Sequence, residues 1–401
     1  MHRTARTTLL TALLAAAALP LATVPAAGEP GNPQSSLTMA VYGDSPYGLN
    51  PADTSQLVAS PAFIDTVNAD PDVSAVVQVG DIHSGKEYCT EAYDRSIAAL
   101  WTRFDDSLVY TPGDNEWADC HKVAQGGGLY DPTTGQIRYQ TDPVTGQPID
   151  YAKGDPLANL DLVRSLFFPE PGRTLGNGHL QVQSQATWFD PAHPEDGAYL
   201  ENVRWQRKGV VFVTMNIPGG SNNDTDPWYK TPAATDRQLA EVAARTAADL
   251  RWLEAAFAQA QVDQARAVVV ITQADMWDLD FNVPAHLAQY EPFVADVARL
   301  TTAFEKPVLM LNGDSHIYRS DNPLSPSGAC AIEVTGGGEV PCASEAGLHP
   351  GYDVPNFHRV VVHGSTLPLE WLELTVHTTD QASTSTSFGP FSWVRRPQPG
   401  L

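Results

Sequence analysis

The chain has 401 residues and four cysteines, and its formal net charge at pH 7 is -23. A protein this acidic repels phosphate backbones at long range, which excludes nucleic acid as its primary partner. A small anionic substrate would need a local positive centre, such as bound metal ions, to approach it.

The N-terminus has the three-part pattern of a secretory signal peptide, which we predict for residues 1–27. Arg3 and Arg6 precede an apolar run that begins at Leu9, and small residues around Ala26 offer a cleavage site. The run is shorter than the roughly 20 residues of a membrane-spanning helix, although an uncleaved N-terminal anchor is the alternative. We therefore expect a secreted, extracellular protein without stable membrane insertion, of unknown oligomeric state.

A linker rich in proline, glycine and serine is predicted for residues 28–36, and one domain for residues 37–381. Short apolar runs bounded by polar or glycine residues predict buried strands in this domain. The predicted strands are Leu37–Tyr42, Ser74–Val79, Ser107–Thr111, Gly209–Asn216, Ala267–Thr272, Pro307–Leu311, Phe357–Val362 and Pro368–Val376. Apolar residues at helical spacing predict helices at Tyr93–Phe104, Thr235–Ala260 and Tyr290–Phe304. This alternation predicts an α/β layered fold.

Two segments depart from the alternation. A hairpin-like surface insertion is predicted around residues 126–155, where the pattern D-P-x-T-G-Q occurs at Asp131–Gln136 and again at Asp142–Gln147. Residues 382–401 are rich in serine, threonine and proline, and we expect them to form a loosely held C-terminal tail.

The four cysteines of an exported chain favour two disulfide bonds. Their spacing favours Cys89 with Cys120 and Cys330 with Cys342, although four cysteines allow three pairings. A zinc site is the alternative, but the chain lacks the C-x-x-C pair that is typical of such sites.

Four predicted strands lead into a glycine that is followed by an aspartate. These aspartates are Asp44, Asp81, Asp114 and Asp314, and His316 comes two residues after the last one. Strand ends converge on one edge of an open α/β sheet, and glycine lets the backbone turn sharply there. Four carboxylates at one place would cost several kcal/mol without a cation, so we predict a divalent metal site. The alternative is that each Gly-Asp pair is only a turn or a helix N-cap.

The order of these motifs resembles the calcineurin-like metallophosphoesterase superfamily, whose pattern is D-x-H, G-D-x-x, G-N-H-D/E and G-H-x-H. The motifs extend from Asp44 to His316, roughly two thirds of the chain. The resemblance implies a two-layer β-sandwich flanked by helices, with two divalent metal ions at the strand ends. It also implies a hydrolase acting on phosphoric ester bonds, with a small phosphorylated substrate.

Position by position, the resemblance implies that Asp44 is a ligand of one metal, Asp81 bridges both metals, and His316 is a further ligand. Asp114 stands where the family has a ligating asparagine, which exchanges one oxygen donor for another. Asp314 replaces the first histidine of the final motif. The second metal would depend on these two aspartates.

Other departures also replace nitrogen ligands by oxygen. Pro46 stands where many members have a ligating histidine, and either His83 or Tyr47 is the expected replacement. Another histidine is expected after the fifth predicted strand, where the chain instead has Gln273 and Asp275 as candidate oxygen ligands. Hard oxygen ligands suit Mn, Mg or Ca better than Zn.

Asn115 occupies the position of the family's catalytic histidine, and an amide cannot donate a proton as a general acid. In a two-metal mechanism the metals activate a water molecule, so the proton for the leaving oxygen must come from elsewhere. We prefer His83 as its source, because it lies two residues after the bridging aspartate, with His121 and Glu116 as alternatives.

Substrate contacts are predicted at Asn115, Asn216 and Arg204, since an arginine can hold a phosphate through two hydrogen bonds. The alternative for Arg204 is a structural ion pair. Asn115 also supports a different class of function: a non-catalytic metal-binding or surface protein that retains the metallophosphoesterase fold.

Overall fold

The computed structural model describes residues 36–223, 226–279, 284–335 and 337–399. The predicted signal peptide at residues 1–27 lies outside the described residues, as does the linker up to residue 35. The described part alternates between strands and helices, which confirms the mixed α/β class. No helix in these ranges is both long enough and apolar enough to span a membrane.

The strands are, in chain order, β1 (Leu37–Tyr42), β2 (Val73–Gln78), β3 (Ser107–Tyr110), β4 (Gly128–Asp131), β5 (Gln136–Tyr139), β6 (Leu175–Gly176), β7 (Gln183–Ser184), β8 (Val203–Arg207), β9 (Val210–Thr214), β10 (Ala267–Ile271), β11 (Val308–Asn312), β12 (Arg319–Asp321), β13 (Ala331–Glu333), β14 (Glu339–Pro341), β15 (Phe357–Val361), β16 (Glu370–Val376), β17 (Ser387–Phe388) and β18 (Phe391–Pro397). The α-helices are α1 (Ser55–Asn68), α2 (Glu91–Trp101), α3 (Pro156–Phe167), α4 (Gln185–Trp188), α5 (Gly219–Asn222), α6 (Asp236–Val262), α7 (Ala285–Ala288) and α8 (Glu291–Phe304). Short 3-10 helices lie at Val123–Gln125, Tyr151–Lys153, Pro194–Ala198 and Trp228–Lys230. Each predicted strand is present, with ends within two residues of the prediction, whereas α1 and α3 were not predicted.

Most strands belong to two large sheets. The seven-stranded sheet has the order β17-β18-β16-β1-β2-β3-β6, and β1, β2 and β3 run parallel within it. The nine-stranded sheet has the order β14-β13-β12-β15-β11-β10-β9-β8-β7, and β9, β10, β11 and β15 run parallel. Parallel neighbours deliver their carboxyl ends to the same edge of a sheet, where ligands bind in open α/β folds.

Three apolar clusters show where the core lies. The first contains side chains from both large sheets, such as Met39 and Val41 of β1 with Phe212 of β9 and Val269 of β10. The second joins the nine-stranded sheet to α6 and α8, and the third joins the seven-stranded sheet to α1, α2 and α3. One apolar cluster therefore joins the two large sheets, and the other two join each sheet to helices.

The C-terminal segment differs from the loosely held tail expected from residue 382 onward. Phe391–Pro397 form β18, which pairs with all seven residues of β16. Phe391 and Trp393 are buried in the core between the sheets. Composition suggested a tail, but alternate apolar side chains and backbone pairing hold this segment in the sheet.

The structure has two further local features that the sequence predicted. Disulfide bonds join Cys89 to Cys120 and Cys330 to Cys342, which confirms the predicted pairing. Within the region of the expected insertion, β4 and β5 form a two-stranded antiparallel sheet that is separate from the two large sheets.

Candidate metal centre

The Gly-Asp motifs follow the carboxyl ends of β1, β2, β3 and β11. Their glycines are needed for close approach as well as for turning. A Cβ atom at Gly113 would lie 2.0 Å from Oδ1 of Asp81, and one at Gly313 would lie 2.5 Å from Oδ2 of Asp44. Only glycine therefore allows the neighbouring strand ends to bring these carboxylates together.

Asp44, Asp81 and His316 form the best candidate for a metal site. One possible ligand atom from each of them lies within 4.8 Å of the other two. Asp44 is fully buried, and its Oδ1 accepts a hydrogen bond of 2.9 Å from the backbone N–H of Asp314. Its Oδ2 has no hydrogen-bond partner among the described residues. A buried acceptor left in this way costs about 1–3 kcal/mol, and a divalent cation would remove that cost. These residues therefore fit a metal ion.

The hydroxyl of Tyr47 lies between the side chains of Asp81 and His316. It donates to Oδ2 of Asp81 at 2.5 Å and lies 3.3 Å from Nε2 of His316. The same hydroxyl accepts a hydrogen bond of 2.9 Å from Nδ2 of Asn115. Of the two residues predicted to replace the histidine missing at Pro46, the structure brings Tyr47 to the centre.

His83 lies in a different environment from the one predicted. Its ring is fully buried against Tyr93, with the ring centroids 5.5 Å apart, and Nδ1 donates to the backbone oxygen of Ser84 at 3.2 Å. Burial lowers the pKa of His83 to about 4, so the ring is neutral at pH 7. No hydrogen bond in the described structure joins it to the aspartates of the centre. These contacts do not join His83 to the centre, and its role as a ligand or proton donor stays a prediction.

The other two predicted proton sources are also engaged in the protein. Oε1 of the buried Glu116 accepts from the hydroxyl of Tyr110 at 2.5 Å and from the N–H of Gly113 at 2.6 Å. His121 is buried, and its Nδ1 accepts a hydrogen bond of 3.0 Å from the N–H of Tyr229. These contacts hold the side chains of Glu116 and His121 within the protein.

Gln273 occupies the middle of the carboxylate cluster. Its Nε2 lies 3.0 Å from Oδ1 of Asp114 and 3.3 Å from one oxygen each of Asp81 and Asp314. Its Oε1 accepts a hydrogen bond of 2.5 Å from the N–H of Gly219. The amide nitrogen, and not the oxygen predicted as a metal ligand, faces the carboxylates.

Asp275 supports the centre from one side. Its Oδ1 forms an ion pair of 2.5 Å with the fully buried Arg359, and its Oδ2 accepts from the hydroxyl of Ser315 at 3.0 Å. Its backbone N–H donates to Oδ2 of Asp314 at 2.9 Å. These contacts give Asp275 a positioning role beside Asp314, and its role as a metal ligand stays a prediction.

Asn216 and Arg204 are not part of this cluster. Nδ2 of Asn216 donates to Glu201 at 3.0 Å, and its backbone oxygen accepts from Arg245 at 3.1 Å. Arg204 stacks over the ring of Trp252 at 4.5 Å and donates to Gln183 at 2.8 Å. These contacts place both residues in structural networks, and substrate binding by either one stays a prediction.

The carboxylates of the centre hold their protons unusually tightly. Burial raises the pKa of Asp44, Asp81 and Asp314 well above the ordinary aspartate value, and neighbouring carboxylates raise it further. Burial, followed by the charge of Asp119, raises the pKa of Asp114 to about 7. Carboxylates crowded in this way bind protons or a cation, since several negative charges cannot share one low-dielectric site.

A cavity of about 210 Å³ opens beside the centre. Asp114 and Asp314 form part of its wall, and Lys122 and Tyr290 also line it. The ammonium group of Lys122 pairs with Asp119 at 2.6 Å. Sequence reasoning missed this lysine, because nothing in its local pattern shows that it faces the strand ends.

A second acidic group, formed by Asp119, His121 and Asp226, also has possible ligand atoms within 4.8 Å of one another. Lys122 already pairs with both aspartates, at 2.6 and 3.1 Å. The N–H of Tyr229 donates to Nδ1 of His121, so the neutral ring carries its proton on Nε2. Neither ring nitrogen then has a lone pair for a metal, and this group is better described as an ion-pair cluster.

Comparison with known proteins does not assign a family. No family model matches the chain, and no curated protein matches it. Two similar solved structures are the purple acid phosphatase PPD1 from seeds of yellow lupin (Lupinus luteus) and PhoD. The first is 12% identical with a TM-score of 0.41, and the match covers 91% of this chain and 52% of that one. PhoD is 11% identical with a TM-score of 0.42, and the match covers 91% and 71% of the two chains. This chain thus spans about half the length of the lupin protein.

Proposed function

We propose that this protein is a secreted, metal-dependent hydrolase of phosphoric esters. The observation that carries the proposal is the group of Asp44, Asp81 and His316, whose possible ligand atoms lie within 4.8 Å of one another. We further propose that the two large sheets form the two-layer β-sandwich of a divergent metallophosphoesterase, as the order of the motifs implies. Two disulfide bonds support export, because they persist in oxidising compartments.

A divalent cation supplies a Lewis acid, which withdraws charge from a phosphoryl oxygen and makes nearby water more acidic. The ligands proposed here are two carboxylates and one imidazole. A ligand set rich in carboxylate oxygen suits Mn, Mg or Ca better than Zn.

The protein's own residues hold the ligands in position. The N–H of Asp314 fixes Oδ1 of Asp44, which leaves Oδ2 available to a cation. Asn115 holds Asp81 through its backbone N–H at 3.2 Å and its Nδ2 at 3.0 Å. Tyr47 adds a third hydrogen bond to Asp81. Ligands restrained in this way lose little freedom when a metal binds.

Asp114 is the best-placed proton donor for the leaving oxygen. It lines the cavity, and burial together with the charge of Asp119 raises its pKa to about 7. Lys122 lines the same cavity, and its positive charge is shared with Asp119 and Asp226. A phosphoryl group in the cavity would thus lie near this lysine and near Asp114.

The first test is hydrolysis of p-nitrophenyl phosphate and bis(p-nitrophenyl) phosphate with Mn²⁺, which also separates monoesterase from diesterase activity. Asp81→Asn should reduce turnover by about 10–100-fold or more, because losing even a group that only orients a metal ligand typically costs about 10–100-fold. Asp161→Asn, at an exposed position of α3, is the matched control and should be as active as the wild type. A fully active Asp81→Asn variant would refute the mechanism.

The role of Asp114 has its own test, based on the leaving group. A p-nitrophenolate leaves readily without a proton, whereas an alkoxide needs one. Asp114→Asn should therefore reduce hydrolysis of an alkyl phosphate such as glycerol phosphate by about 100-fold or more, and that of p-nitrophenyl phosphate much less. Equal losses on both substrates would show that Asp114 is not the proton donor.

One observation favours the alternative of a non-catalytic metal-binding or surface protein. Asn115 stands at the position of the family's catalytic histidine, and its side chain is fully engaged with Asp81, Tyr47 and Gln125. Under this alternative the protein would retain a metal ion but hydrolyse neither ester. Measuring metal content and turnover on the same sample separates the two functions.

A further inference from the structure

The Asp44 side of the carboxylate cluster differs from the side around Gln273 in its hydrogen-bond partners. At Asp44, a fully buried oxygen has no hydrogen-bond partner among the described residues, so this side has an unused acceptor for a cation. Around Asp81, Asp114 and Asp314, the Nε2 of Gln273 already lies within 3.0–3.3 Å of one oxygen of each residue. The side around Gln273 therefore contains a hydrogen-bond donor where a second cation would have to be.

The orientation of the Gln273 amide is determined by its surroundings. The oxygen and the nitrogen of an amide have nearly the same size, so their hydrogen-bond partners decide which atom faces which group. The backbone N–H of Gly219 can only donate, and it points at the Oε1 atom from 2.5 Å. Turning the amide over would set two donors against each other and leave an oxygen facing three carboxylates. Both effects are unfavourable, so the nitrogen faces the carboxylates.

The loop that holds Gln273 is itself well anchored. A Cβ atom at Gly219 would lie 2.5 Å from Oδ1 of Asp314, so only glycine lets this backbone approach the cluster. The hydroxyl of Tyr290 donates to the backbone oxygen of the preceding Pro218 at 3.0 Å. Moving the Gly219 N–H away from Gln273 would therefore disturb buried contacts on both sides of the loop.

We propose that the centre takes up a single divalent cation, at Asp44, Asp81 and His316, and that the amide group of Gln273 stands in place of a second one. This inference rests on the proposed metal centre. An amide nitrogen has no lone pair available for a metal, but its two N–H groups neutralise part of the charge of three carboxylates. Asp114 and Asp314 then serve as walls of the cavity and not as ligands, and the two-ion centre implied by the family resemblance does not form.

The experiment measures manganese per chain in the full-length protein after loading and desalting, together with the electron paramagnetic resonance spectrum of the bound ions. The wild type should retain one ion with the spectrum of an isolated Mn²⁺. Gln273→Glu keeps the shape of the side chain and its acceptor for Gly219, but replaces the donor by a carboxylate oxygen. This variant should retain two ions with the spectrum of a spin-coupled pair. Gln273→His is the second variant if the added charge prevents folding.

Gln183→Glu is the matched control, because it adds the same charge at a half-buried position beside Arg204 and should retain one ion. Two coupled ions in the wild type would overturn the inference while leaving the proposed metal centre intact. No retained ion in the wild type would overturn the metal centre and the inference together. One ion in both the wild type and the Gln273 variants would show that Gln273 is not what excludes the second.

Discussion

Asp44→Asn should have opposite effects on stability with and without metal. Without metal, the wild type holds a buried carboxylate whose Oδ2 has no hydrogen-bond partner among the described residues. Burial raises the pKa of Asp44 well above its ordinary value, so the folded state loses stability as pH rises above the unfolded value of 3.8. An asparagine does not ionise, and its N–H groups suit the negative surroundings. In a chelator at pH 7, the variant should be more stable by about 1–3 kcal/mol.

Metal should remove this advantage. With Mn²⁺ at about 100 times the wild-type Kd, binding stabilises the folded wild type by about 2.7 kcal/mol. The variant lacks a charged ligand and should gain almost nothing at the same concentration. Its advantage in chelator should therefore vanish or reverse when manganese is added.

Urea unfolding in EDTA and in MnCl₂ measures both effects, with Asp161→Asn as an exposed control that should stay within about 0.5 kcal/mol of the wild type. Equal stabilisation of both proteins by manganese would refute Asp44 as a ligand. A loss of stability for Asp44→Asn in EDTA would show that this carboxylate supports the fold without a cation.

Three further predictions test the framework around the centre. Arg359→Met leaves the buried Asp275 without its arginine partner and should reduce the free energy of unfolding by about 3–5 kcal/mol. Adding Asp275→Asn should restore part of this stability. A loss below about 1 kcal/mol for Arg359→Met would contradict the reasoning. Replacing both cysteines of Cys89–Cys120 by serine should cost about 3.7 kcal/mol, against about 2.8 kcal/mol for Cys330–Cys342, because the closed chain segments span 31 and 12 residues; calorimetry showing the reverse order would refute this entropic ranking. Burial lowers the pKa of His358 to about 4, so between pH 6.5 and 4 the unfolded state binds a proton that the folded state does not, and stability falls with decreasing pH. His358→Gln should reduce this slope by about 1.4 kcal/mol per pH unit in urea titrations, and an unchanged slope would show that His358 does not contribute to it.

Much of the fold and part of the centre could be predicted because the evidence is local in the chain. Buried strands were recognisable as short apolar runs, and the parallel strands of a sheet bring their ends to one edge. The placement of Asp44, Asp81 and His316 near one another follows from that rule and from the glycines that precede the aspartates. The disulfide pairing followed from cysteine spacing, which the structure confirms.

The detailed chemistry depends on contacts between residues that are far apart in the chain. Tyr47 reaches Asp81 across 34 residues, and Gln273 reaches the same aspartate across 192. Both side chains were candidate ligands in the sequence, but only the partners of Gln273 decide that its nitrogen, and not its oxygen, faces the centre. Likewise, His83 follows Asp81 by two residues, and yet its ring turns into the core against Tyr93.

The sequence by itself thus determined the α/β class, the positions of the main strands, the disulfide pairing and the aspartates at the strand ends. Only the tertiary structure decided that β18 belongs to a sheet, that Asp275 is paired with Arg359, and that the amide nitrogen of Gln273 faces three carboxylates. The physical reason is that periodicity and turn residues report on neighbours along the chain. The direction of a side chain and the charge around it are determined by neighbours in space.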